Sequence, residues 1–480
     1  MKRYYLLLCC LLPFGFLFAG EWQWSVAVKG SVSKETGRAQ EAFLWISPTC
    51  KQLRAVMVGQ QNMSEEALFG LPAFRREMEK LDVALIWIAP ELNQQWDVRT
   101  GVQQVFDKML SDLADVSGYE ELKHVPIVPI GHSAQATFPW NFAAWNPERT
   151  LAVISLHGDA PRTNLCGYGR ENLEWGRTRN IDGIPGLMIE GEYEWWEARV
   201  NPALAFRMMY PESCISFLCD TGRGHFDVAD ETADYIARFV RKALEIRCPV
   251  SSAVNEPVRM KPVDVWSPAE GRRPKPAPYN EYQGDVHDAF WYFDKEMTEL
   301  TEARYRKHRK KEMQYIGVMQ SGSPVKYNAQ SHVKLSIPFR PESDGLTFHL
   351  RACLMDSLRR TVVGDSNEVL RIDCISGPVH KVNDTTFMVN FYRMGMYNPR
   401  RTGGITLVAS HLGDKRHKGV VQEMEIRIPY RNTDGKRQCI LFPGIADVRE
   451  GTESIHLQAT SDCGLPVSYY VKEGPAWIEG

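Results

Sequence analysis

The sequence has almost no net charge and no cysteine pattern typical of a metal site. Its 57 lysines and arginines and 59 aspartates and glutamates leave a balance of −2 over 480 residues. So small a balance provides no field for nucleic acid, and we expect no nucleic-acid partner. None of the 11 cysteines has the spacing of zinc ligands, so we expect most of them to be small apolar residues buried in the core.

Long apolar runs are lacking everywhere except at the N-terminus. Lys2 and Arg3 precede an apolar run from Tyr4 to Phe18, and Ala19 and Gly20 follow it. A basic start and a short apolar run are typical of a signal peptide, which we place at residues 1–20. We therefore expect a secreted or periplasmic protein. No other stretch is long enough to span a bilayer.

A serine follows one of the apolar runs in the first half of the chain. Residues 127–130 lead into Gly131-His132-Ser133 and then into alanine-rich sequence. This pattern predicts a strand that turns sharply into a helix, with Ser133 at the apex. A serine hydroxyl needs a nearby base to act as a nucleophile and donors for the oxyanion that it creates. The backbone N–H of Ala134 is one expected donor.

This strand, turn and helix resemble the nucleophile elbow of α/β-hydrolase superfamily serine esterases, in which nucleophile, acid and base follow one another in the chain. The resemblance covers about residues 22–248 and implies an α/β fold, a mostly parallel sheet with helices on both faces, in a catalytic domain at 21–248. Gln135 departs from the pattern, because a second glycine is expected there, and this predicts looser packing of helix on strand. Pro126 and Pro129 are unusual in the strand, since proline donates no ladder hydrogen bond.

The same resemblance assigns the acid and the base. The strand and turn from Gly186 carry the acid, which we place at Glu194, with Glu192 and Asp159 as alternatives. The loop Gly-His-Phe after the last apolar strand carries the base, His225. The resemblance therefore implies a Ser-His-Glu triad, and it implies no cofactor and no metal.

The second oxyanion donor is expected in the loop after the apolar run at residues 53–58. Gln60 and Gln61 are the candidates. The alternative interpretation is a polar turn that caps the next helix through Ser64 and Glu65.

Helical and strand periodicity both disappear from residue 162 to residue 184. Arginines alternate with aromatic residues there. A long irregular segment inserted after a strand of a hydrolase sheet is typical of a lid or a substrate-binding loop, although a solvated surface loop also explains the charges. The predicted substrate contacts are Arg162, Arg170, Trp175 and Arg177.

The second half of the chain divides into four parts. Residues 249–287 are rich in proline, arginine and lysine and indicate a linker. Residues 288–319 predict one long helix, whose aromatic start, residues 290–293, needs burial against the hydrolase domain. Short alternating runs at 325–432 predict a β-sandwich, and residues 433–480 resemble an Ig-like segment.

The export signal, the arginine-bearing insertion and the appended β regions together resemble secreted bacterial carbohydrate esterases of the pectin methylesterase or acetylesterase type. The resemblance implies hydrolysis of methyl or acetyl esters on an acidic plant polysaccharide, since arginines pair with uronate carboxylates and aromatic faces stack on sugars. One alternative is a catalytically inactive glycan-binding or adhesion protein. The other is a serine peptidase on the same fold. The sequence does not indicate the oligomeric state.

Overall fold

The computed structural model describes residues 22–163, 172–194, 197–248, 275–362, 369–390, 398, 403–429, 436–449, 451–474 and 476–479. The predicted signal peptide and residues 249–274 of the predicted linker lie outside this part. None of the helices in the described part of the chain is long and apolar enough to cross a bilayer.

The first half of the chain forms one eight-stranded sheet. Its strands are β1 (Trp24–Ala27), β2 (Glu41–Trp45), β3 (Ala55–Gln60), β4 (Val83–Ala89), β5 (Ile127–His132), β6 (Val153–Leu156), β7 (Pro185–Gly191) and β8 (Cys214–Asp220). The strand order is β1-β2-β4-β3-β5-β6-β7-β8, with antiparallel pairing of β1 to β2 and β2 to β4 and parallel pairing elsewhere. This is the α/β-hydrolase fold, and the sequence prediction is confirmed.

Helices cover both faces of this sheet. They are α1 (Glu65–Gly70), α2 (Pro72–Leu81), α3 (Val102–Ser117), α4 (Thr137–Trp145), α5 (Glu197–Met209) and α6 (Asp230–Arg247). Residues of α2 and α6 pack into one apolar core and the buried side of α3 into another. The strands between the two cores are continuous apolar runs, because both faces of a parallel sheet are buried.

The two prolines around β5 occupy positions that tolerate a missing N–H. Pro126 contributes its carbonyl, which accepts from Val56 N at 3.0 Å. Pro129 pairs with Val58 of β3, whereas the pairing of β5 with β6 starts at Ile130. A central strand with prolines is therefore compatible with the ladder.

The predicted long helix at 288–319 is wrong. The helix α7 covers only Lys295–Arg306, and its start is fixed by Asp294, whose side chain accepts from Met297 N. The aromatic residues before it are extended beside β8, where Trp291 N donates to Ile215 O at 2.9 Å. An extended path suits them because all four rings are at most 5% exposed in the hydrolase core. The expected docking of residues 290–293 on this domain is confirmed.

Antiparallel sheets follow α7, so the expected β-rich region is present. Its strands are β9 (Tyr315–Gln320), β10 (Ser323–Pro324), β11 (Leu335–Pro338), β12 (Thr347–His349), β13 (Arg351–Met355), β14 (Arg371–Ser376), β15 (Val379–Asn383), β16 (Thr386–Val389), β17 (Gly404–His411) and β18 (Val420–Arg427). They form sheets of order β10-β9-β13, β11-β18-β17-β14 and β12-β16-β15 around a common apolar core, and the pairing of β11 with β18 is parallel.

The expected Ig-like sandwich at 433–480 is not formed by the residues that the structure describes there. Their only strands are β19 (Ile440–Leu441) and β20 (Thr460–Ser461), which pair with each other. Apolar side chains such as Phe442 and Leu465 are half exposed or more. Alternating apolar residues predict strands, but a sandwich also requires a second sheet that buries their apolar face.

Candidate active site

Ser133 lies at the apex of a strained turn between β5 and α4. It opens a short 3-10 turn, Ser133–Gln135, and its φ of +53° lies in the left-handed region that residues with a side chain rarely adopt. Such strain is typical of a nucleophile elbow, where it exposes the serine hydroxyl at the end of the strand.

Close backbone approaches surround this turn. A Cβ on Gly131 would lie 2.0 Å from the carbonyl oxygen of Gln135, so position 131 requires glycine. A Cβ on Gly158, beyond β6, would lie 2.0 Å from Ala136 Cβ. The looser packing expected from Gln135 is therefore not observed, because Ala136 and Gly158 make the close contact.

The structure brings the three predicted catalytic residues together. His225 Nε2 is 2.8 Å from Ser133 Oγ, and His225 Nδ1 is 2.5 Å from Glu194 Oε2. In this arrangement Nδ1–H donates to the carboxylate and Nε2 accepts from the serine hydroxyl. Burial lowers the pKa of His225 to about 4, against the raising effect of Glu194. The imidazole is therefore neutral at neutral pH and able to take a proton.

Glu194 is buried and has polar partners on both carboxylate oxygens. Oε1 accepts from Gly191 N at 2.5 Å and contacts His157 Nδ1, while Arg199 Nη1 is 3.3 Å from Oε2. Burial acts to raise the pKa of Glu194, but His157 and His225 lower it well below its ordinary value. The carboxylate is therefore ionised beside the imidazole that it orients.

The two alternative acids have other partners. Glu192 forms an ion pair with Lys418 at 2.6 Å and accepts from Gly222 N at 2.8 Å. Asp159 faces Arg199 at 3.7 Å. Glu194 is the carboxylate in hydrogen-bonding contact with His225.

The sequence prediction missed His157. It follows β6 with a φ of +52°, and its N–H donates to Ile189 O at 2.7 Å. Burial acts to lower the pKa of His157, but the charge of Glu194 raises it to about 9, so the ring is an imidazolium at neutral pH. The His-Gly-Asp run after a predicted strand was the available signal, since the carboxyl ends of parallel strands carry the site.

His132, between Gly131 and Ser133, connects the elbow to the loop that carries His225. Its Nε2 is 2.6 Å from His225 O, and its backbone N donates to Glu65 Oε1 at 2.7 Å. Asn62 Nδ2 donates to His132 O at 2.7 Å, and Asn62 N donates to Glu65 Oε2 at 3.2 Å. Glu65 therefore joins the loop after β3 to the elbow. Ser64 is the N-cap residue of α1, and its carbonyl accepts from Leu68 N at 2.9 Å, but its side chain makes no capping hydrogen bond.

Of the two candidate oxyanion donors, Gln61 has its backbone N–H occupied, whereas the role of the Gln60 N–H stays a prediction. The side chain of Gln60 is buried, accepts from Leu92 N at 2.7 Å and donates to Asn93 O at 3.0 Å. Gln61 N donates to Ile88 O at 2.7 Å, so this N–H is already used. Ala134 directly follows the serine, and its N–H stays the expected oxyanion donor.

The predicted substrate contacts have separate outcomes. Trp175 is fully buried and donates its indole N–H to Asn141 Oδ1 at 2.7 Å, so the expectation of an exposed stacking face is wrong. Arg162 Nη1 donates to Tyr210 Oη at 2.5 Å. Arg177 is exposed, and Arg170 lies outside the described residues.

Residues of the β-rich region after α7 also contact the turn that carries Glu194 (the acid turn) and the loop that carries His225 (the base loop). Tyr193 donates its hydroxyl to Gly419 O at 2.9 Å, and Glu423 Oε1 accepts from Phe226 N at 3.2 Å. The exposed ring of His332 lies 5.3 Å from the ring of His225 and 5.2 Å from that of Phe226. The site is therefore built from both halves of the chain.

In the described part of the chain, ligand atoms of three residues converge within 4.8 Å: His157, Glu194 and His225. A zinc ion needs about 2 Å to each ligand atom and therefore separates its ligands. Here each imidazole Nδ1 is in direct hydrogen-bonding contact with the carboxylate. The cluster is a hydrogen-bonded acid-base arrangement.

No family model and no curated protein matches the sequence. Among solved structures, the fluorophosphonate-binding serine hydrolase F of Staphylococcus aureus is 12% identical, with 46% of this chain and 97% of that chain covered and a TM-score of 0.32. The hyperthermophilic esterase of the archaeon Pyrobaculum calidifontis is also 12% identical, with 48% of this chain and 86% of that chain covered and a TM-score of 0.34. The enterobactin esterase of Shigella flexneri is 13% identical, with 46% of this chain and 59% of that chain covered and a TM-score of 0.33. The similar structures are thus serine hydrolases and esterases, while the strand order of the chain itself assigns its α/β-hydrolase fold.

Proposed function

We propose that this chain is a serine esterase in which Ser133 is the nucleophile, His225 the general base and Glu194 the residue that orients the base. The observation that supports it is the hydrogen-bonded series from Ser133 Oγ through both nitrogens of His225 to Glu194. A neutral imidazole held in this tautomer accepts the serine proton as the hydroxyl attacks.

The reaction proceeds in two halves. Ser133 Oγ attacks the ester carbonyl, His225 Nε2 takes the hydroxyl proton, and backbone N–H groups stabilise the oxyanion. His225 then returns the proton to the leaving alcohol, and an acyl group remains on the serine. Water releases this group through the same base. With a methyl-esterified uronate the alcohol is methanol, whereas with an acetylated sugar the serine carries the acetyl group.

Labelling of the serine tests the activity itself. A fluorophosphonate probe should modify Ser133 in the native protein, and Ser133→Ala should lose both the label and at least ~10³-fold in turnover. Ser155→Ala is the matched control, because Ser155 is a buried serine on the neighbouring strand β6. Equal labelling of the native protein and Ser133→Ala would refute the proposal.

The proposed substrate is a methyl or acetyl ester on an acidic plant-type polysaccharide, met outside the cytoplasm after export through residues 1–20. It is supported by the exposed arginines Arg177 and Arg179 of the insertion between β6 and β7, of which Arg179 lies over the ring of Trp145 at the C-terminal end of α4. Asn141 of α4 donates to Asn172 Oδ1 at 3.2 Å, which anchors this segment behind the elbow. Exposed arginines attract a polyanionic chain by their charge, and in this way they favour the substrate class without contacting Ser133 themselves.

Substrate charge is tested by comparing a methyl-esterified polyuronate with p-nitrophenyl acetate. Each exposed ion pair contributes only ~0.2–1 kcal/mol, so Arg177→Ala and Arg179→Ala should each raise KM on the polymer by about 1.5- to 5-fold. Added salt should remove this difference. KM for the small neutral ester should not change. Equal losses on both substrates would assign these arginines to the fold.

A further inference from the structure

The carboxylate of Glu194 lies between two imidazoles, of which the proposed triad uses only one. His225 Nδ1 is 2.5 Å from Oε2, and His157 Nδ1 contacts Oε1 on the other side. The second imidazole comes from the end of β6, whereas Glu194 follows β7. The strands β6 and β8 flank β7 in the sheet, and the segment after each of them supplies one imidazole to the carboxylate.

The position of His157 is built by several independent contacts. Its left-handed backbone is maintained by the hydrogen bond from its N–H to Ile189 O and by the close contact of the next residue, Gly158, with Ala136. Strained residues of this kind persist where the surrounding structure determines them, and they cluster at functional sites. The side chain is only 4% exposed, so its partner Glu194 decides its orientation.

Charged and titratable groups from several elements lie near His157 and Glu194. Glu194 and Glu190 lie on or directly after β7, Arg199 on α5, Asp227 after β8, and the rings of His132 and His225 lie 5.5 and 5.7 Å from that of His157. Two cations contact Glu194, namely Arg199 and the imidazolium of His157. A buried carboxylate needs such partners to remain ionised.

We propose that His157 is a positioning residue of the active site, which fixes the carboxylate of Glu194 from the side opposite to His225 and keeps it ionised. This inference rests on the proposed serine esterase function. His157 touches neither Ser133 nor a substrate in this role, and it acts through Glu194.

A positive charge at His157 has a consequence for the base as well. Burial is the main cause of the lowered pKa of His225, and the charges of His157 and Arg199 lower it further. Removal of the imidazolium should therefore raise the pKa of His225. The acid limb of kcat/KM, which reports the base of the free enzyme, should move to higher pH.

The test uses His157→Gln, which keeps a hydrogen-bond donor, and His157→Leu, which removes donor and charge. We expect kcat to fall on the order of 10- to 100-fold with KM nearly unchanged, as for residues that orient a functional side chain from behind it. His157→Leu should lose more than His157→Gln, and both should shift the acid limb upward. His411→Gln is the matched control, because His411 is a buried histidine of β17. Its hydrogen-bond partner, Gln314, also belongs to the second half of the chain.

The outcomes separate this inference from the proposed function. An unlabelled, inactive native protein contradicts the esterase itself. An active native enzyme in which His157→Gln keeps both its kcat and its acid limb overturns only the role of His157. If neither variant folds, the native profile still decides, since an acid limb at or above the ordinary histidine pKa of ~6.5 contradicts a base placed beside buried cations.

Discussion

Replacement of Glu194 by glutamine is the sharpest perturbation of the proposed site. Both imidazoles present an Nδ1–H to the carboxylate, one to each oxygen. An amide has one oxygen and one NH₂ group, so in either orientation one imidazole faces a donor. If His225 faces it, the ring is forced into the tautomer that cannot take the serine proton. If His157 faces it, a buried imidazolium loses its acceptor.

The expected loss in kcat for Glu194→Gln is therefore large, about 10⁴-fold as for neutralised triad acids, or ~5.4 kcal/mol of transition-state stabilisation. Glu192→Gln weakens the ion pair with Lys418 and keeps an amide oxygen for the Gly222 N–H, and Asp159→Asn changes a 3.7 Å contact with Arg199. Both should lose less than about tenfold, since neither orients the base. The assay is p-nitrophenyl acetate hydrolysis, with melting temperatures measured for all three variants. A larger loss for Asp159→Asn than for Glu194→Gln, at equal stability, would refute the assignment of the acid.

Three further predictions concern stability and the β-rich region after α7. Trp291→Ala should cost about 3–5 kcal/mol in unfolding free energy because the ring is fully buried, whereas Tyr279→Ala, at an exposed ring, should cost little; chemical denaturation measures both. Glu423→Ala leaves the Phe226 N–H without its acceptor at a cost of ~1–3 kcal/mol and should lower kcat, while Glu425→Ala on the same strand should not. The folded-state pKa of His157, about 9, lies above its unfolded value of 6.5, so its pairing stabilises fully below pH 6.5 and is lost as pH rises through 9. The stability difference between native protein and His157→Gln should accordingly shrink between pH 6.5 and pH 10, and a constant difference would contradict the pairing.

Much of the fold and the core of the site follow from local patterns. Continuous apolar runs predict buried parallel strands, and the elbow around Ser133 combines a strand, a glycine and a helix start within a few residues. Glu194 and His225 are predictable because each follows a strand in a known order along the chain. These signals survive folding because they depend on neighbours in sequence.

Other features depend on contacts that no local pattern contains. The use of the Gln61 N–H is decided by the pairing of β3 with β4, which occupies this donor with Ile88 O. The helix predicted at 288–319 begins only after Asp294, which caps its first turn. The aromatic residues before Asp294 are extended because they lie beside β8, at the edge of the sheet. His157 becomes a partner of Glu194 only because β6 and β7 are neighbours in the sheet.

The β-rich region after α7 contacts the segments that carry the proposed acid and base. Just before β18, Lys418 pairs with Glu192 and Gly419 O accepts from Tyr193, and both partners lie in the acid turn. On β18 itself, Glu423 accepts from Phe226 N in the base loop. A Cβ on Gly224, directly before His225, would lie 2.0 Å from Glu423 Oε1, so the loop and the strand are in close contact. Because the acid and the base both lie in segments that this region contacts, the geometry of the proposed triad depends on residues 197 to 226 positions further along the chain. The exposed ring of His332, from the same region, lies 5.3 Å from the ring of His225, so the surface beside the proposed base also comes from both halves of the chain.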